Sequence, residues 1–227
     1  MKPRALDLFC CAGGVSKGLA DAGFDVWGVD IQPQPEYVHP GRFVQGDALR
    51  PPFDLRTFDF IWASPPCQAY SAASRPQRIA GASYPDLVAP TREMLDATGV
   101  PYCIENVPGA PIRPDLVLDG TMFPNVRVLR VRWFELGGFW CLSPLSRNRR
   151  GIIVSGEYLT SSGLTKGPSS SLRRAGVRHQ PLSVWRTAFG IDWMRGKALS
   201  QAIPPAYAEF IGRAALQSIQ HDRRAAA

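Results

Sequence analysis

The chain has 227 residues, 45% hydrophobic and 20% charged, so it can fold around one large core and is not a disordered chain. No apolar run is long enough to span a membrane, since the first one, 5–11, is interrupted by Asp7. The five cysteines include the adjacent pair Cys10 and Cys11 and no Cys-x-x-Cys spacing. This usage argues against a disulfide framework or a zinc finger, and it favours a reducing cytoplasm.

The first 107 residues alternate strand-like apolar runs with helical patterns, which predicts a doubly wound, mostly parallel α/β sheet. Strands are predicted at residues 5–9, 25–30, 43–44, 59–63 and 102–107. Helices are predicted from the glycine turn at 13–14 to residue 21, and over 87–97.

The second half of the chain is less regular. A long strand or hairpin arm is predicted at 126–136, and loops are predicted at 151–180, where Ser, Gly and Arg are frequent. Helices are predicted from about Ser183 and from 204–205, because proline suits the first turn of a helix.

The net charge of +7 is concentrated in this second half. Between Arg127 and Arg178 there are ten Lys or Arg residues and two acids, Glu135 and Glu157, so the segment carries +8 and the remainder −1. Arginine accounts for 22 of the 26 basic residues, and its planar side chain binds phosphates and guanine edges with two hydrogen bonds. The charge indicates either a nucleic-acid partner or a solvated basic face.

Three successive predicted strands end in a glycine turn or an acidic residue. Gly13 and Gly14 follow the first strand and allow the backbone to approach a ligand closely. Asp30 ends the second strand, where a carboxylate can accept from both ribose hydroxyls, and Asp47 follows the third, where it can accept from an adenine amino group. Together they predict a site for an adenosine-type cofactor; the alternative is three ordinary turns capped by aspartate.

A cysteine follows the most hydrophobic predicted strand. Cys67 lies in Ser-Pro-Pro-Cys-Gln at 64–68, where two prolines fix the direction of the chain. Because the carboxyl ends of strands form the ligand crevice of an open α/β sheet, Cys67 is a candidate nucleophile, activated if nearby cations lower its pKa. The alternative is a small core residue.

A carboxylate and two arginines complete the candidate set. Glu105 and Asn106 end another apolar strand at the same predicted edge, where burial would raise the pKa of Glu105 and make it a proton donor. Arg130 and Arg132 alternate with valines and are predicted to share one strand face with Val128. The alternatives are a surface glutamate and an arginine-lined solvent face.

Taken in order, these segments resemble the DNA cytosine-5 methyltransferase family, in the compact form that bacteriophages and prophages carry. The resemblance runs from Leu6 to about Gly212. The matching segments are Asp-Leu-Phe-x-x-Ala-Gly-Gly at 7–14, Val-Asp-Ile at 29–31, Gly-Asp at 46–47, Pro-Pro-Cys-Gln-Ala-Tyr-Ser at 65–71, Glu-Asn-Val at 105–107, Arg-x-Arg at 130–132 and Gln-Ala-Ile-Pro-Pro at 201–205.

The resemblance implies the Rossmann-like fold of class I S-adenosylmethionine-dependent methyltransferases and a covalent mechanism on a cytosine flipped out of DNA. Cys67 then adds to C6 of the base, Glu105 is the acid at N3, Arg132 contacts O2, and Arg130 supports Arg132 and the thiolate. No metal is implied.

The same resemblance assigns the binding residues. Those for S-adenosyl-L-methionine, whose product is S-adenosyl-L-homocysteine, are Phe9, Ala12, Gly13, Gly14, Asp30, Ile31 and Asp47. For nucleic acid, Gln68 and Ser71 match residues near the flipped base and its phosphates, and Arg75 and Arg78 fall in a segment that resembles a mobile loop closing over DNA. Separately from the resemblance, the basic segment predicts phosphate or guanine contacts from Arg147, Arg149, Arg150, Arg173, Arg174 and Arg178.

Three residues depart from the family pattern. Cys11 stands where the family has the first glycine of the cofactor loop, Val128 replaces a glutamine, and Ser200-Gln201 replace Gly-Asn. The side chain of Cys11 is expected to crowd the methionine moiety or to shift the turn.

The chain is also short where the family carries a large target-recognition domain. We divide it into a catalytic core at 1–136, a reduced target-recognition region at 137–182 and C-terminal helices at 183–227 that return to the core. So small a region predicts recognition of two or three base pairs or loose specificity, since each specific contact needs a placed side chain. Two alternatives stay open: a cytosine-5 methyltransferase of RNA or single-stranded DNA, and a catalytically silent nucleic-acid-binding relative.

Overall fold

The computed structural model describes residues 2–71, 74–144, 159–160 and 182–225. Its strands are β1 Arg4–Leu8, β2 Asp25–Asp30, β3 Phe43–Gln45, β4 Phe60–Ala63, β5 Tyr102–Asn106, β6 Leu116–Leu118, β7 Val128–Leu129, β8 Arg132–Gly137 and β9 Leu159–Thr160. Its α-helices are α1 Gly14–Ala22, α2 Arg75–Ile79, α3 Val88–Asp96, α4 Leu182–Phe189, α5 Gly196–Gln201 and α6 Pro205–Ala225, and short 3-10 helices cover Leu55–Thr57 and Gly120–Met122.

Seven of these strands form one mixed sheet in the order β3-β2-β1-β4-β5-β8-β6. The neighbours from β3 to β5 are parallel, whereas β8 runs antiparallel to both β5 and β6. The sheet is therefore doubly wound and mostly parallel, as predicted. The chain leaves β1 toward β2 on one side and returns to β4 on the other, and the carboxyl ends of β1 and β4 flank the crevice where such sheets bind ligands.

The sheet is buried on both faces, as a parallel sheet covered by helices requires. Alternate side chains of β4 show this: Phe60 and Trp62 pack on the face that α1 and α6 cover, and Ile61 and Ala63 pack on the opposite face with Val88 of α3. The continuous apolar run that predicted this strand is the signature of a strand buried on both sides.

The C-terminal helix α6 packs against α1. The two helices approach so closely that a Cβ at Gly18 of α1 would overlap the carbonyl oxygen of Pro205 and lie 2.8 Å from Cβ of Ala208. The end of the chain thereby braces the helix that follows the glycine turn. No helix within the described ranges is long and apolar enough to cross a membrane.

The prediction of one strand over 126–136 is wrong. Val128 and Leu129 form β7, which pairs with β9 in a separate two-stranded sheet, and Arg132 begins β8 of the main sheet. Between them, the carbonyl oxygen of Arg130 accepts a hydrogen bond from the Tyr207 hydroxyl at 2.9 Å, so it is held by α6 rather than by a neighbouring strand. Arg130, Arg132 and Val128 consequently do not share the face of one strand.

Candidate active site

The candidate residues converge at the carboxyl edge of the parallel strands. The loop containing Cys67 follows β4, Glu105 lies near the end of β5, and the turn after β1 lies on the other side of the strand-order reversal. Because β8 runs antiparallel to β5, with Phe134 opposite Glu105, its first residue, Arg132, starts at this same edge. The topology thus joins Cys67 and Arg132, which are 65 positions apart in the sequence.

Glu105 and Arg132 form a mostly buried ion pair. Nε of Arg132 lies 2.8 Å from Oε1 of Glu105, and only 11% and 7% of the two side chains are exposed. Burial raises the pKa of Glu105 above its ordinary value, although the charges of Arg132 and Arg130 and a hydrogen bond from Ser64 oppose the rise. Glu105 is therefore a carboxyl group that takes up a proton more readily than an exposed glutamate does.

The thiol of Cys67 is half-buried beside these charges. Burial and the negative charge of Glu105 raise its pKa, while the positive charges of Arg132 and Arg130 act in the opposite direction. The sequence argument expected arginines to lower this pKa; they are present, but burial and Glu105 outweigh them. The thiol is protonated at rest, and its activation requires that the charge of Glu105 be neutralised or that a proton leave.

The loop that carries Cys67 is fixed at both ends. Nδ2 of Asn106 donates to the carbonyl oxygen of Pro65 at 3.0 Å, which ties the start of the loop to the end of β5. The backbone N–H groups of Tyr70 and Ser71 donate to the carbonyl oxygen of Cys67 at 3.0 and 2.8 Å. These bonds make Cys67 the first residue of a tight turn at the sheet edge.

Arg130 is anchored to the C-terminal segment. Its guanidinium donates to the carbonyl oxygens of Ser200 and Gln201 at 3.1 and 2.8 Å and lies 5.6 Å from the ring centre of Phe189. Burial lowers its pKa to about 9, so it still carries its charge at neutral pH. The two residues that replace Gly-Asn therefore contribute backbone carbonyls, which do not depend on their side chains.

The turn between β1 and α1 adopts left-handed backbone conformations at Phe9, Cys11 and Gly13, with φ of 60°, 45° and 84°. Cys11 thus keeps a conformation that favours glycine, at the cost of strain at its Cβ, and its N–H donates to Oδ2 of Asp30 at 2.9 Å. The turn closes onto the end of β2 as a glycine turn would.

The remaining predicted cofactor residues lie around this turn. Asp30 also accepts from the N–H of Gln32 at 2.9 Å, and Oδ1 of Asp47 accepts from the N–H of Leu49 at 2.9 Å, so both carboxylates also cap turns. Ile31 exposes 63% of its surface, which leaves an apolar side chain open beside Asp30.

Packing against the protein itself explains the glycines of this turn. A Cβ at Gly13 would lie 2.7 Å from Cγ1 of Val38, and one at Gly14 would lie 2.6 Å from the carbonyl oxygen of Ile203. Nε1 of Trp193 donates to the carbonyl oxygen of Ala12 at 2.9 Å. Trp193 and Ile203, both in the C-terminal part of the chain, therefore pack against the turn and fix its position.

A buried hydrogen-bond chain under the turn was not predicted. The Tyr37 hydroxyl donates to Oγ of Ser16 at 2.8 Å, and Ser16 donates to Oδ2 of Asp7 at 2.5 Å. Oδ1 of Asp7 has no hydrogen-bond partner among the described residues, and burial raises the pKa of this carboxyl to about 7. Asp7 belongs to the first motif, but its neighbours along the sequence give no sign that Ser16 would hydrogen-bond to it or that Tyr37 would hydrogen-bond to Ser16.

The predicted nucleic-acid residues behave differently from one another. Arg75 is exposed on α2, whereas Arg78 donates to the carbonyl oxygens of Gln68 and Ser71 at 2.7 and 2.9 Å and so ties α2 to the Cys67 loop. Six predicted contacts lie outside the described residues: Arg147, Arg149, Arg150, Arg173, Arg174 and Arg178. Within the described ranges, no group of three or more His, Cys, Asp or Glu side chains is arranged to hold a metal ion.

A comparison with known protein families gives a match for the part of the chain that contains Cys67 and Glu105. Residues 4–111 match the family of C-5 cytosine-specific DNA methylases. The matched segment covers 108 of the 227 residues. It spans β1 to β5 and contains Cys67 and Glu105, while Arg130 and Arg132 follow it in the chain.

Solved structures share the fold over nearly the whole chain. An E. coli prophage protein described as a DNA modification methyltransferase is 15% identical, with a TM-score of 0.59 over 96% of this chain and 99% of that one. Dnmt2 methyltransferase of S. pombe is 13% identical, with a TM-score of 0.57 over 98% and 99%. The Entamoeba histolytica methyltransferase EhMeth is 12% identical, with a TM-score of 0.55 over 98% and 99%. At these identities the likeness shows a shared fold. No curated protein matches the sequence.

The structure adds two residues to the predicted site. Ser64 hydrogen-bonds to Glu105, and Trp62 hydrogen-bonds to Ser64. Their position, at the end of β4 and directly before the prolines, was the one sequence signal that could have drawn attention to them. Neither residue type suggested a role at the site.

Proposed function

We propose that the protein is a DNA cytosine-5 methyltransferase that bonds Cys67 transiently to C6 of a flipped cytosine. The observation that carries the proposal is the grouping of a thiol, a buried carboxyl and two arginines at one sheet edge: Arg132 is paired with Glu105 at 2.8 Å, and the charges of Glu105, Arg130 and Arg132 all act on Cys67. The membership of residues 4–111 in the methylase family supports the same chemistry.

The chemistry requires a nucleophile and an acid together, because C5 of cytosine is a poor nucleophile by itself. The sulfur of Cys67 donates an electron pair to C6, and the displaced π electrons build up negative charge on the ring toward N3 and make C5 enamine-like. Glu105 holds a proton at N3, and the guanidinium of Arg132 holds O2. Once C5 has bonded to the methyl group, the proton that C5 still carries leaves to water and its electron pair re-forms the double bond between C5 and C6. The bond from C6 to sulfur then breaks with its electron pair on Cys67, and aromaticity is restored.

Glu105 and Cys67 are electrostatically coupled in this scheme. The negative charge of Glu105 raises the pKa of Cys67, so a protonated or N3-bound Glu105 no longer opposes the thiolate. Arg130 and Arg132 keep their charges and favour the thiolate at that moment. The site thereby activates its nucleophile when a base occupies it rather than at rest.

The turn after β1 fits the methyl donor of this family. S-adenosylmethionine, when bound, supplies a methyl group on a positively charged sulfur, the electrophile that C5 needs. Asp30 would bind the ribose hydroxyls, the exposed side chain of Ile31 would pack on the adenine, and Asp47 would accept from its amino group. One oxygen of the Asp7 carboxyl group beneath the turn has no hydrogen-bond partner among the described residues, and a cationic ligand bound above it would favour the ionised form of this carboxyl.

The basic, arginine-rich segment between Arg127 and Arg178 supports DNA as the substrate. A cytosine inside a duplex cannot reach Cys67, so the base must leave the helix. The small region at 137–182 leads us to expect a target of two or three base pairs. Bisulfite sequencing of DNA from cells that express the protein reads this context directly; methylation that requires a longer site would contradict the expectation.

Transfer of tritium from labelled S-adenosylmethionine tests the proposal. We expect incorporation into duplex DNA above single-stranded DNA, tRNA and dCMP, with loss of counts in Cys67→Ser. Glu105→Gln is expected to lower turnover by about two orders of magnitude or more while duplex binding persists, on the scale of a positioned acid.

Cys141→Ser is the matched control. Cys141 is also partly buried and its pKa is raised to about 11, but burial is the cause, and no charged neighbour among the described residues acts on it. This variant is expected to retain transfer. Preferred incorporation into tRNA would favour the RNA alternative, and full transfer by Cys67→Ser, or no transfer to any of the four substrates, would overturn the proposal.

A further inference from the structure

The end of β4 contains a hydrogen bond whose direction is fixed by its chemistry. Nε1 of Trp62 lies 3.0 Å from Oγ of Ser64. An indole nitrogen only donates, so the serine oxygen is the acceptor and one of its two lone pairs is taken. Trp62 is fully buried and packs edge-on against Phe134, with ring centres 5.7 Å apart, so the donor cannot swing away.

The parallel register of β4 and β5 pairs Ala63 with Ile104, so the next residues, Ser64 and Glu105, lie side by side, and the Ser64 hydroxyl interacts with the Glu105 carboxyl group. Since the oxygen of Ser64 already accepts from Trp62, its single proton is free to point at an ionised Glu105. When Glu105 carries the proton, the second lone pair of Ser64 can accept from it. One side chain therefore satisfies both protonation states of Glu105, which an arginine donor cannot do.

We propose that Ser64 is a positioning residue: oriented by the indole N–H of Trp62, its hydroxyl holds the carboxyl group of Glu105 in place beside Arg132 in both protonation states. The inference deepens the proposed function, on which its catalytic meaning rests, and the hydrogen-bond chain itself does not depend on that function. Ser64 acts through Glu105 and has no contact of its own with a substrate in the scheme.

Charged and titratable groups on several elements interact electrostatically with Glu105. They come from β1 and its turn, the Cys67 loop, β5, β8, the segment between β7 and β8, and α6: Asp7, Cys11, Cys67, Cys103, Arg132, Arg130 and Tyr207. The two arginines favour the ionised carboxylate as Ser64 does. Removing Ser64 alone therefore leaves Arg132 in place and removes one of the two side chains that hydrogen-bond to the carboxyl group.

Carbon-13 NMR of protein labelled at the glutamate carboxyl groups tests the inference without substrate. The sequence contains six glutamates, and Glu105→Gln assigns the resonance of Glu105 by its loss. In Ser64→Ala we expect the titration of Glu105 to move upward by about one pH unit, the scale of a hydrogen bond to a charged group. Ser64→Thr keeps the hydroxyl and is expected to titrate as the wild type does.

Two tryptophan variants distinguish an effect of the hydrogen-bond chain Trp62–Ser64–Glu105 from a general effect of core packing. Trp62→Phe removes the donor that orients Ser64 and is expected to move the titration upward by less than Ser64→Ala does. Trp27→Phe is the matched control, because the N–H of Trp27 has no hydrogen-bond partner in the described part of the chain. The resonance of Glu135, which is paired with Arg92 at 2.7 Å, serves as the internal reference for folding.

Kinetics give the second readout. Ser64→Ala is expected to lower kcat about ten-fold with the KM for DNA unchanged, as a misplaced acid predicts, and Ser64→Thr is expected to restore it. An unchanged Glu105 titration in Ser64→Ala, with Glu135 unperturbed, overturns the inference even if the wild type methylates DNA. A shifted Glu105 titration in a protein that transfers no methyl group supports the hydrogen-bond chain through Ser64 and rejects the proposed function instead.

Discussion

Replacing Asp7 by asparagine is expected to remove a pH dependence from the stability of the fold. Asp7 is fully buried at the end of β1, accepts one hydrogen bond from Ser16, and has a second oxygen without a partner in the described residues. Burial raises its pKa from an ordinary 3.8 to about 7. The folded protein therefore holds this proton more tightly than the unfolded chain does.

The magnitude follows from that difference. Below about pH 4, Asp7 is protonated in the folded protein and in the unfolded chain, and it costs no stability. Between pH 4 and 7 the unfolded chain loses this proton while the folded protein keeps it, so the free energy of unfolding falls. Above pH 7 both states have lost the proton and the penalty stays constant. At about 1.4 kcal/mol per pKa unit, the full penalty is about 4 kcal/mol, of which about 2.5 kcal/mol accrues between pH 5 and pH 8. Asparagine has the same shape and no proton to lose.

Urea denaturation at pH 5, 6, 7 and 8 measures the effect. The free energy of unfolding of Asp7→Asn relative to wild type is expected to rise by about 2.5 kcal/mol over this range. Asp222→Asn, an exposed position near the end of α6, is the control and is expected to track the wild type. Parallel curves for wild type and Asp7→Asn would refute the reasoning, because they would mean that Asp7 titrates alike in both states.

Two other substitutions test the packing around the first turn. Cys11→Gly is expected to be about 0.5 kcal/mol more stable than Cys11→Ala, because the left-handed φ of 45° strains any Cβ. The larger conformational entropy that glycine loses on folding offsets part of this gain. Equal stabilities in thermal unfolding would show that the turn is unstrained. Gly18→Ala is expected to destabilise the fold by about 2 kcal/mol despite a better helix propensity, because the new Cβ overlaps the carbonyl oxygen of Pro205. A raised Tm in that variant would contradict the close approach of α1 and α6.

The parallel part of the sheet could be predicted because its signals are local. β2 has the predicted bounds, 25–30, and β4 differs by one residue, since each is an apolar run that ends at a turn residue. The predicted helix over 87–97 forms α3, Val88–Asp96, with its buried residues on one side. In each case the side chains that decide the structure are neighbours in the sequence.

The second half was harder to predict because distant residues decide it. The alternating pattern at 126–136 reads as one strand, but the Tyr207 hydroxyl, 77 positions away, captures the carbonyl oxygen of Arg130. The prediction of an arginine pair on one strand face failed for that reason.

The candidate site was predicted in its composition but not in its electrostatics. The motifs predicted Cys67 and Glu105 at one edge, because the carboxyl ends of parallel strands meet there. Arg132 reaches the same edge for another reason, since it begins β8, which runs antiparallel to β5. The raised pKa of Cys67 depends on how the effects of burial and Glu105 compare with those of two arginines. The hydrogen-bond chain from Trp62 through Ser64 to Glu105 depends on the position of one indole N–H. Neither quantity is encoded in the spacing of residues.

The central claim is that the sulfur of Cys67 bonds to C6 of a cytosine, and trapping that bond tests it most directly. In duplex DNA that carries 5-fluorocytosine, the fluorine prevents loss of a proton from C5, so the bond to sulfur persists after the methyl group has been transferred. With S-adenosylmethionine present, we predict a covalent complex whose peptide mass maps to Cys67, formed by wild type and Cys141→Ser and absent from Cys67→Ser. A wild-type protein that methylates ordinary duplex DNA but forms no adduct, or an adduct that maps to another cysteine, would contradict the account.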